Sequence, residues 1–155
     1  MARGVRPASE YATSVVRLFP DYAGTVIWFI GPIAYGETRL DAGLVADLQA
    51  WEASYYAGLT SDYSWRSPDV EAHFNKLGAG LARRLADQIG DQFQVQYDFG
   101  EAHRRVRAAG PARNPKAAAA FQQLADQARA EWTQLRDDAD RAWSTRDPSR
   151  TNDPF

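Results

Sequence analysis

Cysteine is absent from all 155 residues of the sequence. This absence excludes disulfide-stabilised folds, zinc sites with thiolate ligands and cysteine nucleophiles. The absence also agrees with a reducing compartment. Stability must then come from packing, and a chain of this length can bury a sizeable hydrophobic core.

Long apolar runs are lacking as well. The longest, Thr25–Ile30, stops at Gly31–Pro32 and is far shorter than the roughly 20 residues of a membrane-spanning helix. Residues 1–14 include two arginines but no apolar segment of the kind found in signal peptides. We therefore expect a soluble cytoplasmic protein that does not contact a membrane.

A basic excess is the third missing feature. The chain has 18 Lys and Arg residues against 20 Asp and Glu residues, a net charge of −2, which disfavours a nucleic acid as the partner. Its apolar content of 45% and charged content of 25% are typical of globular domains. We expect a flexible arm over residues 1–13, a single α+β domain over 14–143 and a disordered tail over 144–155.

The run Thr25–Ile30 is the strongest structural signal in the chain. It is too short for a helix and rich in β-branched and aromatic residues, which predicts a strand buried on both faces in the middle of a sheet. Val15–Phe19 predicts a second strand, and the loop Pro20–Gly24 would join the two as a hairpin.

Two helices are predicted between residues 41 and 90. Asp41 is a good N-cap for the first helix, and Gly58 ends its apolar pattern. The second helix has the clearest start in the sequence, with Ser67 as the cap and Pro68 in the first helical position. Gly90 ends it.

The last third of the chain predicts a second hairpin and a third helix. Residues 92–98 alternate between apolar residues and glutamines, so we expect the glutamines on a wet face, and residues 102–108 form the returning strand. Asn114 and Pro115 open the last helix, and a stripe of apolar residues from Phe121 to Trp143 predicts a helix of about thirty residues. The predicted fold is α+β, with an antiparallel sheet of about four strands (two hairpins), helices mainly on one face, the order ββ-αα-ββ-α and a long C-terminal helix.

Catalytic chemistry has little support in the sequence. The only histidines, His73 and His103, each follow a glutamate by two residues. On a helix this spacing places Glu71 and His73 on different sides, so they could not act as a catalytic pair. No serine-hydrolase turn or phosphate-binding loop is present. We predict no catalytic residue, no metal and no cofactor. The alternative is a small hydrolase or nuclease that uses His103, Glu101 and the nearby arginines.

Two groups of residues are candidates for binding. Tyr56, Tyr63 and Trp65 lie off the helical stripes, and such aromatic residues are frequent anchors of protein interfaces. The alternative is that they fold down as a lid over the helix pair.

The second binding group is basic. It consists of three residues that alternate along the second strand of the later hairpin: His103, Arg105 and Arg107. With the glutamines of the neighbouring strand they would form a polar, positive sheet face suited to an acidic partner. The alternative is a solvated face whose arginines pair with local acids.

Three segments resemble those of a group of small, uncharacterised bacterial proteins. They are Val-Arg-Leu-Phe-Pro-Asp-Tyr at residues 16–22, Tyr-Ser-Trp-Arg-Ser-Pro at 63–68 and Phe-Gln-Val-Gln-Tyr at 93–97, and the likeness extends over residues 15–125. This resemblance implies no activity, and no residue takes a role from it.

The residues themselves favour a non-enzymatic module that binds another protein. An immunity, antitoxin or accessory role is the kind we expect, with an acidic surface on the partner. A homodimer formed through the last helix is a further hypothesis.

Overall fold

The structure of the protein, a computed structural model, describes residues 14–99 and 102–145. Its strands and helices, in chain order, are β1 (Val15–Leu18), β2 (Ile27–Trp28), α1 (Ala42–Ala57), α2 (Pro68–Ile89), β3 (Gln94–Phe99), β4 (Ala102–Arg107) and α3 (Pro115–Thr145). The α+β class, the element order and the long C-terminal helix are confirmed. The predicted arm and the predicted tail from residue 146 onward lie outside the described residues, and Ser144 and Thr145 still belong to α3.

The four strands form one sheet in the order β2-β1-β3-β4. Both predicted hairpins are antiparallel, but β1 and β3 pair in parallel, with Val15 opposite Gln94 and Leu18 opposite Tyr97. The prediction of an antiparallel sheet is therefore wrong, because the sheet is mixed. The two helices between the hairpins supply the long crossover that a parallel pair requires.

The prediction that Thr25–Ile30 lies in the middle of the sheet is also wrong. Only Ile27–Trp28 forms a strand, and it lies at the sheet edge. The chain turns back directly afterwards, since the backbone nitrogen of Ile33 donates to the carbonyl oxygen of Ile27 at 2.8 Å. Val26, Ile27 and Phe29 are nevertheless buried, because they pack into the core beside the sheet. Trp28 and Ile30 are only half-buried.

All three helices start where the sequence predicts, but the side-chain caps are confirmed only for α2 and α3, because Asp41 at the N-cap position of α1 makes no capping hydrogen bond with its side chain. The Ser67 hydroxyl accepts a hydrogen bond from the backbone nitrogen of Val70 at 3.1 Å. Gly90 ends α2 with a positive φ of 87°. The side chain of Asn114 caps α3, and it also donates to the carboxylate of Asp41 at 3.3 Å. The start of α3 is thus tied to the start of α1.

The core lies between the helices and one face of the sheet. The predicted buried face of β3 is confirmed, because Phe93, Val95 and Tyr97 are all buried. Phe29 and Phe121 join Phe93 in a triangle of rings with centroids 6.1–6.3 Å apart. All three helices contribute residues to the same core cluster, so the helices cover this face of the sheet.

Candidate protein-binding surfaces

Three tyrosines from two parts of the chain meet at the C-terminal end of α1. The ring of Tyr22, from the β1–β2 loop, lies 4.6 Å from the ring of Tyr56, and its backbone nitrogen donates to the Tyr56 hydroxyl at 2.8 Å. Tyr55 packs edge-on against Tyr56 at 5.2 Å. We call Tyr22, Tyr55 and Tyr56 the tyrosine cluster. Of these three, the sequence argument names only Tyr56 as a binding residue, so it missed both Tyr22 and Tyr55.

Trp65 connects this cluster to the core. Its ring lies 5.6 Å from Tyr55 and 5.1 Å from Phe74, which stacks on Trp51 at 4.4 Å. A continuous series of rings therefore runs from the surface to the interior between α1 and α2. Trp65 thus lies over the pair of helices, as the alternative of a lid predicts. Its contacts with Tyr55 and Phe74 hold the tyrosine cluster in place.

Two tyrosines combine high exposure with a left-handed backbone. Tyr22 is 66% exposed and Tyr63 is 74% exposed, and their φ angles are 53° and 64°. This conformation costs roughly 1–2 kcal/mol for a residue with a side chain. Because both rings are largely exposed, packing in the core does not offset this cost, and such outliers make the two residues candidates for a functional site.

The carboxyl group of Glu52 is close enough to Tyr35 and Tyr56 to act on their pKa values. Burial raises the pKa of Glu52 above its ordinary value, and its Oε2 atom is buried with no hydrogen-bond partner among the described residues. Burial, and then the charge of Glu52, raises the pKa of Tyr35 to about 12. Burial also raises the pKa values of Tyr55 and Tyr56. These hydroxyls stay protonated near neutral pH and can donate hydrogen bonds.

The predicted basic residues lie on the sheet face opposite the core. In the strand register Arg17, Gln96 and Arg105 form one row across three strands. The Arg105 Nε atom donates to the Gln96 side-chain oxygen at 2.9 Å. The prediction that the glutamines of this strand are exposed to solvent is therefore wrong for Gln96. It is only 3% exposed, because arginine side chains cover it. Arg107 and His103 are exposed on the same face.

The structure extends this face to the hairpin of β1 and β2. Phe19 and Trp28 stack with their ring centroids 4.8 Å apart, and the Arg17 guanidinium lies 5.5 Å from the Phe19 ring centre. The sequence argument missed Arg17. Every second residue of a strand lies on the same face, so the positions of Val15, Arg17 and Phe19 could have placed Arg17 on this one. We call the exposed residues of this side the outer sheet face.

The sequence-level enzyme alternative depends partly on Glu101, which lies outside the described residues. His103 is exposed on β4. Among residues 14–99 and 102–145, no three His, Asp or Glu side chains come together as metal ligands would. None of the helices in the same ranges has the length and apolar content to cross a membrane.

A groove lies between α1 and α2 and is lined by residues of both helices. Its volume is about 620 Å³, and it continues into a smaller depression beside Asp69 and Phe74. Trp51 and Leu81 form its floor, and the Asp47–Arg84 ion pair, 2.6 Å long, lies at its other end. We call it the helical groove. Sequence periodicity could not reveal it, because the space between two helices depends on how they cross.

Comparison with known proteins gives one family. The sequence model of a family described as Serratia CdiI immunity protein-like matches residues 14–99. The matched segment includes the β1–β2 hairpin, α1, α2 and β3, and it therefore contains the whole tyrosine cluster and the helical groove. No curated protein matches the chain. Since the match covers more than half of the sequence, the chain belongs to the Serratia CdiI immunity protein-like family.

Proposed function

We propose that this protein is an immunity-type protein that binds a toxin protein and thereby protects the cytoplasm of the cell that makes it. The observation that carries the proposal is the family match over residues 14–99. An immunity protein acts by contacting another protein, so its function resides in an exposed surface. The mechanism therefore depends on which surface of this protein contacts the toxin.

We assign the main contact to the tyrosine cluster together with Tyr63. Tyrosine offers a large rigid area and a polar tip at a small cost in side-chain entropy, which is why it is frequent at interface hot spots. Tyr22 and Tyr63 supply the exposed rings. Tyr55 and Trp65 anchor the cluster to the core, so little further ordering is needed when a partner binds.

The outer sheet face is assigned a supporting role. Its exposed cationic residues include Arg105 and Arg107, with His103 beside them. An acidic patch on the toxin would be attracted to this face, and such complementarity acts more on the association rate and on specificity than on affinity. This arrangement uses both groups of residues that the sequence predicts as binding residues.

The proposal is tested by a growth assay with the native neighbours of the gene. Each neighbouring reading frame is expressed in a bacterial host, with and without this protein. One neighbour should arrest growth alone, and co-expression of this protein should restore it. The proposal is overturned if no neighbour is toxic, or if the arrest continues when this protein is present.

A further inference from the structure

The last part of α3 presents an apolar face that the body of the protein does not cover. Ala128 is the last buried residue of the helix. Beyond it, Leu135 is 58% exposed and Trp143 is 78% exposed. Leu135, Ala139 and Trp143 follow one another at intervals of four residues, so they share one side of the helix. We call residues 133–145 the distal helix; it is about 20 Å long.

The helical groove has the dimensions to hold such a helix. Along α2 it extends from Asp69 to Arg84, which is about 22 Å. Its middle is open, because an added Cβ at Gly80 would meet nothing within 4 Å. Leu77, on the same wall, is 44% exposed. An amphipathic helix that lays its apolar side into such a groove is a recurrent mode of recognition.

The charges at the middle of the helical groove and at the middle of the distal helix are complementary. Lys76 lies midway along the groove and is exposed, and Asp140 lies midway along the distal helix, one residue after Ala139 and thus beside the apolar side. Neither side chain takes part in an ion pair with another described residue. Because both lie at the centre of their elements, the helix would bring them together when it fills the groove.

We propose that a second copy of this chain occupies the helical groove with its distal helix. The two contacts of a symmetric pair would be reciprocal, each copy giving one helix and one groove. A helix about 20 Å long that half-buries itself covers roughly 350 Å² of its own surface and a similar area of the groove. Two such contacts bury roughly 1,400 Å², which is within the range of specific interfaces.

The test measures the mass of the full-length protein by analytical ultracentrifugation at micromolar concentrations. The unmodified chain forms a dimer. Leu135→Glu, on the helix, and Gly80→Glu, in the groove, should each weaken the dimer by about tenfold or more. Ala130→Glu and Ala72→Glu are matched controls at exposed positions outside both surfaces, and they should leave the dimer intact. Circular dichroism verifies that each variant is folded.

A charge exchange distinguishes this contact from other arrangements. Lys76→Asp and Asp140→Lys should each weaken the dimer, and the double variant should recover most of the loss. The proposal is overturned if the unmodified chain is a monomer, or if only the helix variants lower the mass, which would indicate pairing of α3 with α3. It is also overturned if the groove variants weaken toxin binding while the mass is unchanged. The growth assay does not depend on any of these outcomes.

Discussion

Glu52 is a residue whose burial makes the stability of the protein depend on pH. Burial raises the pKa of its carboxyl group in the folded state, whereas in the unfolded chain the group ionises near its ordinary value of about 4.3. Between these two pKa values the folded protein holds a proton that the unfolded chain has released. The free energy of unfolding therefore falls as the pH rises through this interval, and the loss persists at neutral pH.

The variant Glu52→Gln removes the buried charge and keeps the shape of the side chain. We expect it to raise the free energy of unfolding by no more than about 1 kcal/mol at neutral pH and to have little effect at about pH 3, where both states hold the proton. Urea unfolding at the two pH values measures the difference. Glu37→Gln, at an exposed glutamate, is the control. A gain of equal size at both pH values would contradict this explanation.

Single residues were predictable where the cause is local. The Ser67 cap is a matter of residues within one turn, and the sequence signal and the observed hydrogen bond to Val70 agree. Gln96 was misplaced, because its burial depends on Arg105 from another strand. Tyr22 was missed for the same reason, since its partner Tyr56 is 34 residues away. Periodicity along one strand or helix contains no information about these contacts.

Helix α2 offers a paired test of its glycines. Gly80 lies inside the helix, and a Cβ added there would meet open space, whereas a Cβ at Gly90 would lie 2.8 Å from the backbone nitrogen of Ala112. We expect Gly80→Ala to raise the free energy of unfolding by about 1 kcal/mol, since alanine is the better helix former. Gly90→Ala should lower it, because the positive φ of 87° and the close contact both oppose a side chain.

Chemical denaturation of the two glycine variants measures both effects. The essential result is that the two changes in the free energy of unfolding have opposite signs. If the protein simply tolerated, or did not tolerate, replacement of any glycine, both changes would have the same sign. If Gly80→Ala is destabilising, the middle of the helical groove is not open space, and the geometry on which the dimer contact rests would be contradicted as well.

At the level of elements, the sequence predicted the helices and hairpins better than the sheet. Capping residues and turns determine where α2 begins and which neighbouring strands pair, so both hairpins were found. The parallel pairing of β1 with β3 joins segments about 80 residues apart. The apolar run Thr25–Ile30 has the composition of a central strand although it lies at the edge, because burial by the core and burial within a sheet produce the same composition.

The whole molecule should tolerate the loss of the distal helix. A chain that ends at Trp132 lacks only the distal helix and keeps every residue of the described core, since Ala128 is the last buried residue of α3 and the half-buried Trp132 is retained. We expect its melting temperature to stay within a few degrees of that of the full chain, and its dimer to be lost. A chain that ends at Ala120 lacks Phe121, which is fully buried, and should not fold cooperatively. Thermal melts and ultracentrifugation report the two properties separately.

The fold of the whole molecule places the tyrosine cluster and Tyr63 near one end of the α1–α2 pair. The cluster combines one loop of the sheet with the end of a helix, so it exists only in the folded protein. A partner that bound this cluster would therefore be recognised through residues that are distant in the sequence. The role of the surface is most directly examined by removing the exposed rings while keeping the left-handed backbone, which asparagine tolerates.

The decisive measurement is the affinity for the toxin identified by the growth assay, determined by isothermal titration calorimetry. Tyr22→Asn and Tyr63→Asn should each weaken binding by about tenfold or more. Trp143→Ala, which removes an equally exposed ring from the distal helix, should bind as tightly as the unmodified protein. Unchanged affinity in both tyrosine variants, with folding intact, would contradict the assignment of the tyrosine cluster and Tyr63 as the contact surface.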